Sequence, residues 1–170
     1  MTVLLTAGAT RNPLDAVRYL SAHASGRTGV AIARALVERR VPVVLLGSAE
    51  ARLRGPELPG EEYGSTGDLM ARMERHVRAD PTQSVVHSAA VGDYALAGDA
   101  AGKLPSGQAE LVLRLVPTPK IADHVRGWGC TGRYITFKAA PPDTGLDQLE
   151  AIARAQRERT GCDLVFANVL

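Results

Sequence analysis

Short apolar runs alternate along this chain with segments of helical periodicity. The first run covers residues 3–6 and is closed by Gly8, and the second covers residues 41–46 and is closed by Gly47. Runs that are apolar throughout are typical of strands buried on both faces, and their alternation with helices favours a parallel sheet between helical layers. We therefore predict a three-layer, Rossmann-like α/β fold with a mostly parallel sheet, formed by the whole chain as a single domain.

The same patterns predict the individual elements. Helices are expected over residues 30–37, 68–79 and 146–159, because their apolar residues recur three or four positions apart. Strands are expected over residues 3–6, 41–46, 84–90, 111–115, 134–137 and 163–167, with exposed connections over 52–67 and 95–107. Parallel sheets bind ligands beyond the carboxyl ends of their strands. We therefore expect the chemistry in the loops after Thr6, Leu46, Ala90, Phe137 and Ala167.

Composition argues against several classes of function. The net charge is +2 over 170 residues with both signs interspersed, so no surface for nucleic acid is expected. No apolar run reaches the roughly 20 residues that a membrane-spanning helix needs. Cys130 and Cys162 lie far apart without metal-ligand spacing, so neither a zinc site nor a redox pair is predicted. The first strand follows Met1 directly without an export signal, so we expect a cytoplasmic location.

Two glycine-containing corners are candidates for binding phosphate. Gly8 follows the first strand in Thr6-Ala7-Gly8-Ala9-Thr10, where glycine lets backbone amides approach an anion closely. This corner lacks the GxGxxG spacing of the dinucleotide fingerprint, and a plain turn is an equal alternative. Ser25 and Gly26 precede an apolar helix, whose free amides and dipole favour phosphate. Simple capping of that helix by Ser25 is the alternative.

The first of these corners opens a longer pattern. Residues 6–29 resemble the opening signature of the phosphopantothenate–cysteine ligases, in which a TxGGT(R)xPxD stretch leads to VRxIxNxSSGxxG. Further stretches resemble, in the same order, the family's AAVxDY/F motif, lysine loop, PxPKIL-like stretch, GFK strand end and VAN motif: residues 89–94, 103–107, 117–121, 137–138 and 166–168. The resemblance covers essentially the whole chain.

The resemblance implies a function and a set of site residues. A ligase of this family activates the carboxylate of 4'-phosphopantothenate with CTP or ATP and Mg²⁺, and cysteine then attacks the acyl-nucleotide. The resemblance also implies a homodimer and a separate flavin-dependent decarboxylase as a possible partner. The expected catalytic residues are Lys103, Arg18 and His23. The expected nucleotide contacts are Gly8, Thr10, Ser25, Gly26, Ala89, Ala90, Asp93, Phe137 and Asn168. No residue of the chain is predicted to ligate a metal.

Some of these residues have simpler explanations. Lys103 could be a solvated side chain, His23 an exposed loop residue, and Asn168 a strand-end residue that satisfies its own backbone. The resemblance instead implies that Lys103 contacts the triphosphate and stabilises the charge that develops during acyl activation. The resemblance also implies that Gly8, Ser25 and Gly26 hold phosphates and that Arg18 orients an anionic group.

The chain departs from the family pattern at three places. Ala22 stands where the family has an asparagine that helps to hold the acyl-nucleotide carbonyl, and Ala24 replaces a serine. Loss of one oxyanion-type donor can cost on the order of a hundred- to thousandfold in rate, although the neighbouring His23 could donate instead. The chain also ends at Leu170, whereas the family usually continues for another strand or more, so we expect either a truncated chain or a shortened relative.

Three alternative functions remain to be weighed against the ligase. One is a ligase of the same fold that acts on a different acid or amine. Another is a catalytically impaired, nucleotide-binding relative that acts as a sensor or partner. An NAD(P)-dependent dehydrogenase is disfavoured, because GxGxxG is missing and Gly98 stands where a reductase would need a lysine four residues after Tyr94.

Overall fold

The structure, a computed structural model, describes residues 2–98, 102–104 and 107–169. The elements in chain order are β1 (Val3–Ala7), β2 (Arg11–Pro13), β3 (Tyr19–Ser21), α1 (Arg27–Glu38), β4 (Val43–Gly47), α2 (Ala49–Arg54), β5 (Gly60–Glu62), α3 (Thr66–Ala79), β6 (Ser84–His87), β7 (Tyr94–Leu96), β8 (Leu115–Pro117), a 3-10 turn (Ile121–Asp123), β9 (Tyr134–Ala140), α4 (Leu146–Thr160) and β10 (Leu164–Val169). No helix in these ranges is long and apolar enough to cross a membrane.

The main sheet has six strands in the order β10-β9-β6-β1-β4-β5, and every pairing in it is parallel. The prediction of a Rossmann-like fold with a mostly parallel sheet is confirmed. The chain runs from β1 outward to β4 and β5, and then returns to the other side of β1 to form β6, β9 and β10. The strand order therefore switches between β1 and β6, and parallel sheets bind ligands beyond such a switch.

Apolar side chains on both faces of the sheet form the core. Leu4, Val85 and Tyr134 pack on the face that α3 covers, and Leu5 and Leu45 pack on the face that α1 covers. Along each strand successive side chains point to opposite faces, so a strand buried on both sides has to be apolar throughout. This explains why the apolar runs predicted the sheet strands.

Several predicted segments differ from the structure, and the strand expected over residues 84–90 ends at His87. Residues 111–115 were expected to form a sheet strand, but only Leu115–Pro117 is a strand, and it pairs antiparallel with β7 outside the main sheet. Leu111 and Val112 are exposed, so their apolar character does not reflect burial between layers. The predicted connection 52–67 contains the end of α2 and the edge strand β5. That strand is short and polar because one of its sides faces solvent, so it lacks the apolar pattern.

The segment 95–107, predicted to be an exposed connection, begins with part of a strand. Residues 94–96 form β7, which pairs with β8 in a two-stranded sheet. Positions 99–101 and 105–106, including part of the lysine loop, lie outside the described residues.

Candidate functional site

A cleft of about 980 Å³ lies beyond the carboxyl ends of β1, β6 and β9, at the switch in strand order. Its walls come from four parts of the chain: Gly8 and residues 23–29, residues 87–91 with Asp93, residues 120–123, and residues 136–139 with parts of α4 and β10. The residues that follow Thr6, Ala90, Phe137 and Ala167 therefore line the cleft as the sequence predicted, although Lys138 and Asn168 still belong to the strands β9 and β10 and not to loops. The loop after Leu46 does not line the cleft but supports it from below.

The first two motifs meet through backbone hydrogen bonds. The Ala90 N–H donates to the Gly8 carbonyl at 2.8 Å, and the Thr10 N–H donates to the Ala90 carbonyl at 3.1 Å. These bonds extend the pairing of β1 and β6 by one step, to a parallel bridge between Ala9 and Ala90. The corner after β1 and the corner after β6 consequently form one continuous rim of the cleft.

Position 8 requires a residue without a side chain, because another element packs against it. Its φ is +92°, and a Cβ there would overlap the side chain of Ser48. Ser48 is the N-cap of α2, and its hydroxyl accepts a hydrogen bond from the Ala51 N–H. The loop after Leu46 thus supplies the support under Gly8, and only a residue without a side chain fits above it.

The N-terminus of α1 forms the facing wall. Gly26 is its N-cap with φ +74°, and a Cβ there would lie 2.6 Å from the Ala51 Cβ. Within the described residues no side chain caps this helix, so capping by Ser25 is not observed. The first-turn residues Arg27, Thr28 and Gly29 line the cleft with amides that have no partner inside the helix. A helix N-terminus in this state favours an anion.

Positively charged side chains outnumber negatively charged ones in the lining of the cleft. Asp93 pairs with Lys120, and Asp123 pairs with Arg159. Two further cations that line the cleft, Arg27 and Lys138, form no ion pair within the part of the chain that the structure describes. The cleft therefore carries an excess of positive charge, which suits a polyphosphate or carboxylate ligand.

A row of buried polar side chains crosses the carboxyl ends of β1, β6 and β9. His87 lies between Thr6 and Thr136 in the register of the sheet. Its Nδ1 is 2.9 Å from the Thr6 hydroxyl, which also accepts the Ala89 N–H at 3.1 Å. Burial lowers the pKa of His87 to about 4, so the ring is neutral at pH 7. His87 and Thr136 also line the cleft.

Most of the residues predicted to bind the nucleotide lie around this cleft. Eight of them line it: Gly8, Ser25, Gly26, Ala89, Ala90, Asp93, Phe137 and Asn168. Thr10 does not, because it is fully buried beneath the rim, where its hydroxyl accepts the Gly92 N–H and the Thr66 hydroxyl. The Asn168 amide donates to the Val169 carbonyl at 3.3 Å, as in the simpler explanation of that residue.

The three predicted catalytic residues are separated. His23 lines the cleft, next to Ala22, which does not. Arg18 lies outside the cleft lining and pairs with Asp15 at 3.3 Å. Lys103 is exposed and also lies outside the lining, on a segment that is bonded to the turn between β2 and β3. The structure therefore places two of the three outside the lining of the described cleft.

Several cleft residues were not predicted. Lys120 and Lys138 lie inside matched motifs that predict no role for them, and the cationic character of the cleft identifies them. The sequence pattern places His87 in an apolar strand and Gln156 in an amphipathic helix, and neither pattern marks a site residue. Only the register of the sheet and the packing of α4 place these two side chains at the cleft.

The parallel sheet and the cationic, amide-lined cleft at its switch point define a Rossmann-like α/β domain. The sequence matches, over residues 1–170, the family described as the DNA/pantothenate metabolism flavoprotein C-terminal domain. This chain belongs to that family, and the resemblance noted from its motifs is confirmed.

Similar proteins support the same assignment. The chain is 39% identical over 170 residues to the coenzyme A biosynthesis bifunctional protein CoaBC of Thermococcus kodakarensis, and 34% identical over 176 residues to that of Escherichia coli K12. In both matches the aligned region covers 99% of this chain but only 41% of the relative.

Solved structures share the fold. The crystal structure of the DNA/pantothenate metabolism flavoprotein from Streptococcus pneumoniae matches with a TM-score of 0.87 and 30% identity, covering 100% of this chain and 82% of that one. A Cab2 variant in complex with phosphopantothenate-cysteine matches with a TM-score of 0.81 at 16% identity, covering 99% of this chain and 72% of the other. At that identity the second likeness concerns the fold alone.

Proposed function

We propose that this domain is a nucleotide-dependent ligase that joins 4'-phosphopantothenate to cysteine in coenzyme A biosynthesis. The observation that carries the proposal is the meeting of the α1 N-terminus with the Gly8 and Ala90 corners around one cationic cleft. That arrangement suits a polyphosphate, and the family and its bifunctional relatives supply the substrate class. CTP and ATP are both compatible with it.

The reaction has two steps. A carboxylate oxygen of 4'-phosphopantothenate bonds to the α-phosphorus of the nucleotide, and the α–β phosphoanhydride bond breaks to release pyrophosphate. The cysteine amine then attacks the acyl carbonyl, loses a proton and displaces the nucleoside monophosphate. Activation is needed because a free carboxylate has no suitable leaving group. Pyrophosphate and the monophosphate leave as anions, which the cationic cleft stabilises.

The residues divide this work by position. The amides of the α1 first turn and the Gly8 corner hold phosphate oxygens, while Arg27 and Lys138 offset their charge. Lys103 closes over the triphosphate from its segment outside the cleft and stabilises the charge of the transition state. Arg18 orients an anionic group of the second substrate. His23, the sequence neighbour of Ala22 that lines the cleft, is the side-chain donor that we assign to the acyl carbonyl.

Magnesium enters this proposal with the nucleotide. Within the described ranges no group of three or more histidine, cysteine, aspartate or glutamate side chains could hold a metal ion. Mg²⁺ commonly binds through substrate phosphates, its waters and at most one or two carboxylates. The chain therefore needs no metal cage of its own, and the ion is a companion of the triphosphate.

We further propose that the domain acts as a homodimer. Apolar side chains are exposed in the two small sheets, β2–β3 and β7–β8, at Tyr19, Tyr94 and Leu115, and in the turn between β2 and β3 at Val17. The Asn12 amide donates to the Tyr94 carbonyl at 2.9 Å and ties the two sheets into one surface. Exposed apolar patches of this kind mark protein interfaces. Sedimentation of a single chain at micromolar concentration would contradict the dimer.

The proposal extends to the setting of the enzyme. The chain spans about two fifths of the length of the bifunctional relatives that it matches. We propose that a flavin-dependent decarboxylase, on a separate chain or an attached segment, consumes its product in the cytoplasm. Co-purification of decarboxylase activity with the native protein tests this partner, and its absence would argue against a stable complex.

Ala22 favours one alternative, a domain that completes only the first step. An alanine cannot donate the side-chain hydrogen bond that would hold the acyl carbonyl. The deciding experiment incubates the protein with CTP or ATP, Mg²⁺ and 4'-phosphopantothenate, with and without cysteine, and follows pyrophosphate and product mass. The ligase gives both products. Pyrophosphate without amide indicates the impaired enzyme or another amine, and binding of nucleotide without either product indicates a sensor.

A further inference from the structure

The floor of the cleft contains a histidine whose tautomer the surrounding contacts determine. Thr6 is fully buried, and its hydroxyl oxygen already accepts the Ala89 N–H. Its proton needs an acceptor, and among the described residues the acceptor within reach is the Nδ1 of His87 at 2.9 Å. The neutral ring must then carry its own proton on Nε2.

That Nε2–H donates to no other group among the described residues. No buried side-chain nitrogen or oxygen in those same ranges is left unpaired, so the Nε2 atom is not sealed inside the core. The atom is therefore accessible, and the space it reaches is the cleft that His87 lines. His87 presents a fixed, uncharged donor to whatever occupies the cleft.

Gln156 provides the complementary group from α4. Its Nε2 donates to the Thr136 hydroxyl at 2.9 Å and to the Phe137 carbonyl at 3.1 Å. Both amide protons are used, so the carbonyl Oε1 is the atom left for a ligand. Thr136 is the direct neighbour of His87 in the sheet register, so the donor and the acceptor flank the same side chain.

We propose that His87 and Gln156 form a neutral donor–acceptor pair that binds an uncharged polar edge of a substrate. Two groups of the substrates in the proposed reaction have this chemistry: the base of the nucleotide and the amide of 4'-phosphopantothenate. Anionic groups gain more from the amides and cations elsewhere in the cleft. The identity of the ligand rests on the proposed function, whereas the pair itself rests on the hydrogen bonds of His87 to Thr6 and of Gln156 to Thr136.

Two substitutions distinguish the roles of the two ring nitrogens of His87. In His87→Asn the side-chain oxygen can stand in for Nδ1 and keep the Thr6 contact, but the amide falls short of the Nε2 position. In His87→Gln the side-chain amide reaches the Nε2 position, but the Thr6 contact is lost. A binding role makes His87→Asn the damaging change, and a purely structural role makes His87→Gln the damaging one.

Titration calorimetry with the full chain measures the effect. We expect His87→Asn to weaken binding of one substrate roughly tenfold, as for one neutral hydrogen bond, and His87→Gln to restore it. Weaker binding of CTP or ATP with Mg²⁺ assigns the pair to the base, and weaker binding of 4'-phosphopantothenate assigns it to the amide. Inorganic tripolyphosphate, which has neither group, should bind all variants alike. His124→Asn is the matched control, because the His124 ring stacks on Trp128 outside the cleft lining.

Wild-type affinity of His87→Asn for all these substrates would overturn the pair, as would stronger binding by His87→Asn than by His87→Gln. If the variants do not fold, nitrogen-15 NMR of the wild-type imidazole decides. The proton should reside on Nε2, and the nitrogen-15 chemical shift of Nε2 should change on ligand binding. An Nδ1–H tautomer or an unchanged chemical shift would overturn the proposal. A wild-type protein that binds its substrates but makes no product refutes the proposed function alone.

Discussion

The buried carboxylate of Asp15 accepts a hydrogen bond from the Leu104 N–H at 3.0 Å, across 89 positions of sequence. The same carboxylate accepts the N–H groups of Val17 and Arg18 at 2.8 and 2.7 Å. The Ala16 N–H donates to the Gly102 carbonyl at 2.7 Å, so residues 102–104 are bonded on both sides of Lys103. The opening motif thus holds the segment that carries the catalytic lysine of our proposal.

Asp15→Asn tests that link. The amide can keep part of the acceptor role but offers fewer lone pairs and no charge, so the Lys103 segment should loosen. We expect the kcat for pyrophosphate release to fall at least about tenfold, with little change in the KM for 4'-phosphopantothenate. Asp80→Asn is the matched control, because Asp80 also accepts a backbone N–H, that of Thr82, but lies away from the cleft. Equal activity of the two variants would contradict the link.

Asp15 also makes a prediction about pH. Hydrogen bonds from the Val17 N–H and other backbone amides lower the pKa of Asp15 below its usual range, against the opposing effect of burial. A lowered folded-state pKa contributes stability above the unfolded-state pKa of about 4, and this contribution is lost as the pH falls further. The stability of Asp15→Asn should therefore fall less steeply with pH below pH 4 than that of the wild type, as followed by circular dichroism.

Lys103→Ala tests the role of the lysine itself. The side chain is exposed, so its removal should leave the thermal midpoint unchanged. Pyrophosphate release should be abolished, because the charge of the transition state then lacks its cation. Calorimetric binding of the nucleotide to the folded variant serves as the control. Pyrophosphate release at the wild-type rate would refute the assigned role.

Ala22→Asn tests the departure from the family pattern. An asparagine restores a side-chain donor for the acyl carbonyl, so amide formation should accelerate by about tenfold or more. Pyrophosphate release in the absence of cysteine should change little. Product mass measured over time distinguishes the two steps, and Ala24→Ser, the other departure in this segment, is the control. An unchanged rate of amide formation would show that another donor already holds the carbonyl.

Gly26→Ala tests the wall formed by α1. The left-handed φ and the 2.6 Å approach to the Ala51 Cβ predict a loss of about 1–2 kcal/mol in unfolding free energy, together with weaker nucleotide binding. Gly145→Ala is the matched control, since Gly145 is the N-cap of α4, has φ −69° and has open space around it. Denaturant unfolding and titration calorimetry measure both effects. Similar losses in the two variants would contradict a special role for Gly26.

The sequence predicted the corners of the cleft better than its floor. Gly8 and Gly26 follow or precede a strong periodic pattern that predicts their corners, although a plain turn is an equal alternative at Gly8. Ala90 is identified through its motif. Lys103 was identified through its motif, yet its attachment to Asp15 depends on a contact between distant segments. Such a contact leaves no periodic signal in the sequence.

The remaining differences arise where apolar character and strand position do not coincide. The edge strand β5 is polar and three residues long, so it lacks the apolar run that identifies buried strands. Val112 is apolar but 81% exposed, so the run that contains it predicted a strand that burial does not support. His87 sits within a strand pattern, and only the pairing of β6 with β1 and β9 places it at the cleft.

The location of the polyphosphate tests the account most directly. A crystal structure with CTP or ATP, Mg²⁺ and 4'-phosphopantothenate should show the phosphates on the amides of residues 26–29 and on the Gly8 corner, with the Lys103 ammonium closed over them. Phosphates bound elsewhere, with those amides facing only water and Lys103 still turned outward, would contradict the account.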